Sequence, residues 1–368
     1  MKGIKRSALQ VFVVMCVVCL LAACASGGGS GSSGSSAGGS SSGSQATAGT
    51  GTSSGSSGSS GSAGAKTGHT FRLGHPVSDQ AVSGVTAISF SKAMEEKTNG
   101  RVKVEVYGGS VLGNEISMLE QVQVGSLEIA STSLSALTNF VPELKLLDMP
   151  FLFRDREHVY KTLDGEVGQE LAQYVEKAGF KLLSFGEIGF KIMSNSKREI
   201  RAPEDIKGLK IRTQQNDLIV DTFRALGADP TPVPFAEVYT AVQQGVVDGV
   251  DMGYVPFADL KLYEIQEYIS ELQIAYNAAV MVMNLDLFNS LDEEVQNALL
   301  AAGEEHTKEQ RELTQQAEVE IVKTAADAGA AIVKASELDM APFQQAVASV
   351  YEKYKEFDDL VAKIRNVK

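Results

Sequence analysis

Residues 208–251 read GLKIRTQQNDLIVDTFRALGADPTPVPFAEVYTAVQQGVVDGVD. Leu209-Lys210-Ile211-Arg212 enters through Gly208 and alternates apolar with charged side chains, the period of a half-buried strand. Asn216 caps a helix carrying Ile219, Phe223 and Leu226, and Gly227 stops it. Pro230, Pro232 and Pro234 hold the next segment extended, because each ring fixes φ and withholds a backbone donor. A second helix runs from near Ala236 to Gly245, and Val246–Asp251 follows as a further strand.

The same alternation extends towards the N-terminus. Phe71–Gly74 reads as a strand, and a helix with Ala87, Phe90 and Met94 on one face ends at Asn99-Gly100. Val102, Val104 and Val106 alternate with Lys103 and Glu105 in a strand closed by Gly108-Gly109. Ile116, Leu119 and Val122 mark a helix, Leu127–Ala130 a strand, and the small polar run Ser131-Thr132-Ser133-Leu134-Ser135 follows it. Lys181–Phe185 and Ile188–Met193 read as two more strands, and Ala202–Ile206 as a turn. This order predicts the α/β class, with mixed sheets flanked by helices. Ligands of such sheets bind beyond the carboxyl ends of strands, where the Ser/Thr run falls. From Asp292 to about Ala328 a polar helical pattern without proline predicts one long helix, able to run along both lobes of a two-lobed chain.

The chain has 368 residues, too many for one core, and its formal net charge is -13. That acidity argues against nucleic-acid binding, which needs clustered Lys and Arg. There is no paired C-x-x-C, no H-E-x-x-H and no P-loop, and the G-x-G-x-x-G at Gly29–Gly34 lies in low-complexity sequence with no strand before it. No metal and no cofactor are expected.

Lys2, Lys5 and Arg6 precede an apolar run from Val11 to Ala23, 13 residues long and too short to span a bilayer comfortably. It fits a signal peptide. Leu21-Ala22-Ala23-Cys24 resembles a bacterial lipobox, in which the cysteine is lipidated and becomes the mature N-terminus; the alternative is an ordinary signal peptide with an incidental Cys24. Cleavage removes Cys16, Cys19 and three basic residues but no acidic ones, taking the net charge from -13 to -16. Residues 25–66 are Gly, Ser, Ala and Thr with few exceptions, a flexible tether reaching roughly 35 Å. The folded part is expected from about Thr67.

Several stretches together resemble one family. They are Thr98-Asn99-Gly100-Arg101, Leu112-Gly113-Asn114-Glu115, Leu147–Phe153, Gly208–Arg212, Ala225–Ala228, Pro230-Thr231-Pro232, Phe235–Tyr239 and Val247-Asp248-Gly249. In order and spacing they are similar to the solute-binding subunits of tripartite ATP-independent periplasmic (TRAP) transporters, the DctP family. The resemblance implies a two-lobed periplasmic-binding-protein fold that closes on a small organic acid. It further implies delivery to small and large permease subunits driven by an ion gradient. The implied lobes are residues 67–190 with about 278–317, and about 191–277 with 318–368. A monomer tethered outside the cytoplasm and without catalysis is expected.

By the resemblance, Arg212 makes a two-pronged salt bridge to the ligand carboxylate, a geometry suited to the planar donor fork of guanidinium. Without the resemblance, an arginine ending an apolar strand is more often a surface ion pair. Lys191 stands where many relatives have a second arginine, and keeps the charge without the fork. Phe235 matches an aromatic lying over the ligand. Met252 stands where relatives commonly place a hydrogen-bonding asparagine, which implies a drier pocket. Tyr254, Tyr276, Gln214, His75 and Ser133 complete the expected lining. Glu187 and Asp251 are also candidates, and as paired carboxylates they leave open an extracytoplasmic hydrolase. A sensor or adhesion module on the same scaffold is the other alternative.

Overall fold

A computed structural model describes residues 68–368. The leader, Cys24 and the whole of the tether lie outside the described residues.

Val102, Val104 and their neighbours build a sheet because their alternation gives each strand one apolar face. The first sheet holds β1 (His69–Gly74), β2 (Val102–Tyr107), β3 (Ile129–Ser133), β4 (Phe180–Phe190) and, from much later in the chain, Tyr276–Asn284. The second holds β5 (Ile192–Asn195), β6 (Lys210–Thr213), β7 (Asp229–Pro232), β8 (Gly249–Met252), β9 (Tyr268–Ser270) and Ala331–Val333. In chain order Tyr276–Asn284 is β10 and Ala331–Val333 is β11. The first sheet runs β2-β1-β3-β10-β4, with β1 parallel to β2 and β3 and with β10 antiparallel to β3 and β4. The second runs β11-β9-β5-β8-β6-β7 and is likewise mixed. The expected α/β class, with helix-flanked mixed sheets, is what forms.

Three differences from the sequence reading have local causes. The prolines of 230–234 do not merely extend the chain: Pro230 and Pro232 lie in β7 at the sheet edge, where a missing donor on the outer side costs no ladder bond. Ser131, Thr132 and Ser133 are not a loop beyond a strand. They are inside β3 and buried, because β10 pairs with them from Ala279 to Met281. Finally, the reading of Ile188–Met193 as one strand fails at Lys191. β4 runs unbroken from Phe180 to Phe190, and β5 begins at Ile192 in the other sheet. Gly189, at φ +107°, supplies the left-handed backbone just before the crossing. The return crossing lies alongside, where Lys191 N–H donates to the Ala275 carbonyl at 2.9 Å.

The long helix spans Glu293–Asp327, capped by the Asp292 carboxylate on Val295 N–H. Val295, Leu299 and Ala302 pack into the core of the first sheet with Phe71, Phe90 and Met281. Ala325 belongs to the core of the second sheet with Val250, Phe257 and Ile269. One helix therefore contributes to both cores. The helices of 341–366 add Phe343, Val347 and Ile364 to an apolar cluster running from Leu119 through Phe180 to Phe223.

Candidate functional site

Four strand ends converge on one cavity. The segment after β1 contributes Pro76, Val77 and Ala81, β3 contributes Ser131–Ser133, β6 contributes Arg212 and the following Gln214, and β8 ends at Met252. Glu187 and Ile188 of β4 and Asn277 and Ala279 of β10 complete the wall of the first sheet. These residues enclose the space left between the two sheets. It lies at the carboxyl ends of the parallel strands, as sheet topology requires.

Arg212 is the electrostatic centre of this space. It sits on β6 between β7 and β8, in register with Thr231 and Val250, and is 3% exposed. Its Nε donates to the Val233 carbonyl at 2.9 Å, which fixes the plane of the guanidinium. The two terminal nitrogens have no hydrogen-bond partner and no carboxylate within ion-pair distance among the described residues. Burial pushes the Arg212 pKa down to about 10, while the charges of Glu115 and Asp251 pull it back up. It remains a cation at neutral pH, and the donors on both terminal nitrogens are unspent among the described residues. Phe235 is half-buried at the start of a short 3-10 turn behind Pro234 and lines the same cavity. Met252, Gln214, Ser133 and Glu187 also face it.

Other expected residues are buried nearby, and Lys191, Asp251, Glu187 and Tyr254 have partners of their own. Lys191 Nζ donates to Asp251 Oδ2 at 2.9 Å, and neither side chain is more than 2% exposed. They neutralise each other below the cavity floor rather than lining it. Glu187 accepts from Arg156 Nε at 2.6 Å and from the Tyr160 hydroxyl. With Asp251 held by Lys191, both carboxylates are engaged in ion pairs. His75 is fully buried under Gly108, where an added Cβ would lie 2.7 Å from its ring, and its pKa is lowered by that burial. Tyr254 donates to Glu271 at 2.9 Å and faces a separate groove with Arg156 and Glu318. The Tyr276 ring packs edge-on to Phe190 and Phe153, and its hydroxyl has no partner among the described residues. The Cys24 expectation lies outside the described residues.

Several cavity residues were not among the sequence candidates, Glu115 and Asn277 among them. Glu115 opens the helix Glu115–Gln123 and accepts Ser133 N–H at 2.6 Å, pinning β3 beside Arg212. Its place in Leu112-Gly113-Asn114-Glu115 was the available signal. Asn277 is 3% exposed on β10, and its Oδ1 has no partner. Nothing local marks it, since the chain around it is a plain apolar strand. Among the described residues there is no cluster able to hold a metal ion, and no helix is long and apolar enough to cross a membrane.

A polar, water-shielded network runs behind the site. Asp148 is buried and accepts from the Ser135 hydroxyl at 2.9 Å and from Asn216 Nδ2 at 2.9 Å. Asn216 Oδ1 meanwhile caps its helix on Leu218 N–H. Burial pushes Asp148 up to about 6, against the opposing pull of Lys191.

Comparison with known proteins agrees with this geometry. Residues 73–357 match the family of bacterial extracellular solute-binding proteins, family 7 (DctP). The 2,3-diketo-L-gulonate-binding periplasmic protein of Escherichia coli K12 is 32% identical over 280 residues, 76% of this chain and 85% of that protein. A TRAP periplasmic solute-binding protein from a Polaromonas species, solved with D-erythronate, superposes with a TM-score of 0.79 at 34% identity, covering 82% of this chain and 99% of that one. Another from Sulfurospirillum deleyianum, with bound succinate, gives 0.76 at 32% identity over 82% of this chain and all of that one. These relatives are ligand-binding transport proteins and not enzymes. The chain belongs to the DctP family of extracytoplasmic solute-binding proteins of TRAP transport systems.

Proposed function

We propose that this protein captures a small organic acid between its two sheets and delivers it to a TRAP-type permease of small and large membrane subunits. The observation that carries the reading is Arg212: a buried guanidinium, oriented by Val233, with terminal donors facing the cavity and no protein carboxylate paired to them. A ligand carboxylate completes that fork with two charge-assisted bonds, strengthened by the exclusion of water. Phe235 covers one face of the ligand and Met252 presents an adaptable apolar surface on another.

The two sheets act as lobes, residues 67–190 with about 278–317 and about 191–277 with 318–368. They hinge where the chain crosses near Lys191 and Ala275. The binding-competent protein is a monomer. Lipidated Cys24 holds it at the outer face of the bacterial membrane, and the Gly/Ser-rich segment gives it reach.

Native mass spectrometry of protein purified without denaturation identifies a captured acid, and calorimetry with that acid tests the anchor. Arg212→Ala leaves a buried carboxylate unpaired and is expected to cost about 3–5 kcal/mol, roughly two to four orders of magnitude in Kd. A change of less than about threefold, under 1 kcal/mol, overturns the role given to Arg212.

A further inference from the structure

Asn277 and Gln214 come from different sheets and meet in the cavity. Asn277 Nδ2 lies 3.4 Å from Gln214 Oε1, at the outer limit of a hydrogen bond. Both are at least nine-tenths buried, and both line the space that Arg212 faces. Asn277 Oδ1 has no partner, and none is found for Gln214 Nε2. The oxygens and nitrogens of side-chain amides exchange places by a half-turn, so the pair has two arrangements. In either one, the mutual bond uses one donor and one acceptor and leaves one amide nitrogen and one amide oxygen unmet among the described residues.

That remainder selects a ligand group. A carboxylate only accepts and an ammonium only donates, so each leaves one amide atom unmet in a dry site. A hydroxyl does both. Gln214 is two residues beyond Arg212, so the hydroxyl belongs close to the carboxylate that Arg212 holds.

The rest of the wall holds few free polar groups. Glu115 Oε1 accepts Ser133 N–H, Glu187 accepts from Arg156 and Tyr160, Ser133 Oγ accepts Ala136 N–H, Thr132 Oγ1 donates to the Ser133 carbonyl and Ser83 Oγ accepts from Gln310, which leaves the Ser131 hydroxyl as the wall's other free polar group among the described residues. Ile188, Met252, Val255, Pro256 and Ala279 supply apolar surface.

We propose that the Gln214–Asn277 amide pair reads a hydroxyl beside the substrate carboxylate, and that the substrate is a short hydroxy acid whose remaining carbons are apolar. This rests on the reading of Arg212 as the carboxylate anchor. A polyhydroxylated acid leaves hydroxyls against Met252 and Val255, and a dicarboxylate leaves a second charge there; both lose affinity.

The test is calorimetry with 2-hydroxyisovalerate and isovalerate, identical but for the hydroxyl, with D-erythronate and succinate as competitors. The wild type is expected to bind 2-hydroxyisovalerate roughly thirtyfold tighter than isovalerate, the scale of one buried amide pair left unmet. It is also expected to bind 2-hydroxyisovalerate tighter than either competitor. In Asn277→Leu that ratio falls below about threefold. Gln214→Leu removes the same pair from the other sheet and reads out the same ratio if Asn277→Leu does not fold. A wild-type ratio near one, a ratio preserved in a folded variant, tighter binding of erythronate or succinate, or no binding of 2-hydroxyisovalerate overturns the proposal. Its failure is separable from failure of the anchor: any acid that binds the wild type but not Arg212→Ala keeps the anchor, whatever its hydroxyl does.

Discussion

Lys191 Nζ donates to Asp251 Oδ2 at 2.9 Å, both side chains buried, and the bond ties the residue at which the chain changes sheet to strand β8 of the second sheet. It links the crossing to the strand that ends at Met252 in the cavity, so its charges serve the frame of the site. Removing either partner strands the other as a buried, unpaired charge. Lys191→Met and Asp251→Leu are each expected to cost about 3–5 kcal/mol, and the two changes together less than either. Urea unfolding of the four proteins checks this. A double variant as unstable as the sum of the singles refutes it.

Ser78 and Asp259 meet in a neighbouring groove that shares Ala81 and Val255 with the cavity. Asp259 accepts the Ser78 hydroxyl at 2.5 Å and the Ser78 N–H at 3.2 Å. The first lies in the segment after β1, the second on the helix Tyr254–Asp259 that follows β8. If closure makes this bond, Asp259→Ala speeds ligand release about tenfold, corresponding to one hydrogen bond to a charged group. Stopped-flow displacement measures it. An unchanged release rate removes the contact from the closing step.

His306 and Asp148 oppose each other in mild acid. His306 is buried against Thr86 and Ser184, and burial lowers its pKa to about 4 from 6.5. Its folded pKa lies below the unfolded one, so its contribution is complete above about pH 6.5 and is lost as pH falls towards 4, by about 3 kcal/mol. Asp148 is raised from 3.8 to about 6, so its contribution is complete below about pH 3.8 and is lost as pH rises through 6, by a similar amount. The two contributions nearly cancel between pH 4 and 6. Asp148→Asn should therefore steepen the loss of stability in acid, and His306→Gln should flatten it. Denaturant midpoints from pH 4 to 7 show both. Equal slopes in all three proteins contradict the assignment.

Gly253 follows Met252, and a Cβ there would lie 2.6 Å from the Ile188 carbonyl of β4. Its φ of -72° suits any residue, so Gly253→Ala reads the close approach alone and not backbone strain. Separating β4 from the chain after β8 should cost about 1–3 kcal/mol and weaken ligand binding with it. Thermal unfolding and calorimetry test this together. A variant as stable and as tightly binding as the wild type shows that the contact yields.

Much of this architecture was legible locally. The alternation at Val102–Val106, the Asn216 cap, the stop at Gly227 and the unbroken pattern from Asp292 to Ala328 each became the expected element, because backbone conformation answers to neighbouring residues. Ser131–Ser133 misled because small polar residues in a strand look like a loop until β10 covers them. The order of elements and the candidacy of Arg212 came from the sequence by itself. The partners of the charges came only from the tertiary structure: Asp251 neutralising Lys191, Arg156 and Tyr160 occupying Glu187, and no carboxylate paired with Arg212 among the described residues. Asn277 gained its meaning in the same way, when β10 returned beside β4 to face Gln214 from the other sheet. The physical reason is one of range. Propensities act over a few residues of chain, whereas the free energy of a charge or amide depends on what packs against it, supplied here by strands far apart in sequence.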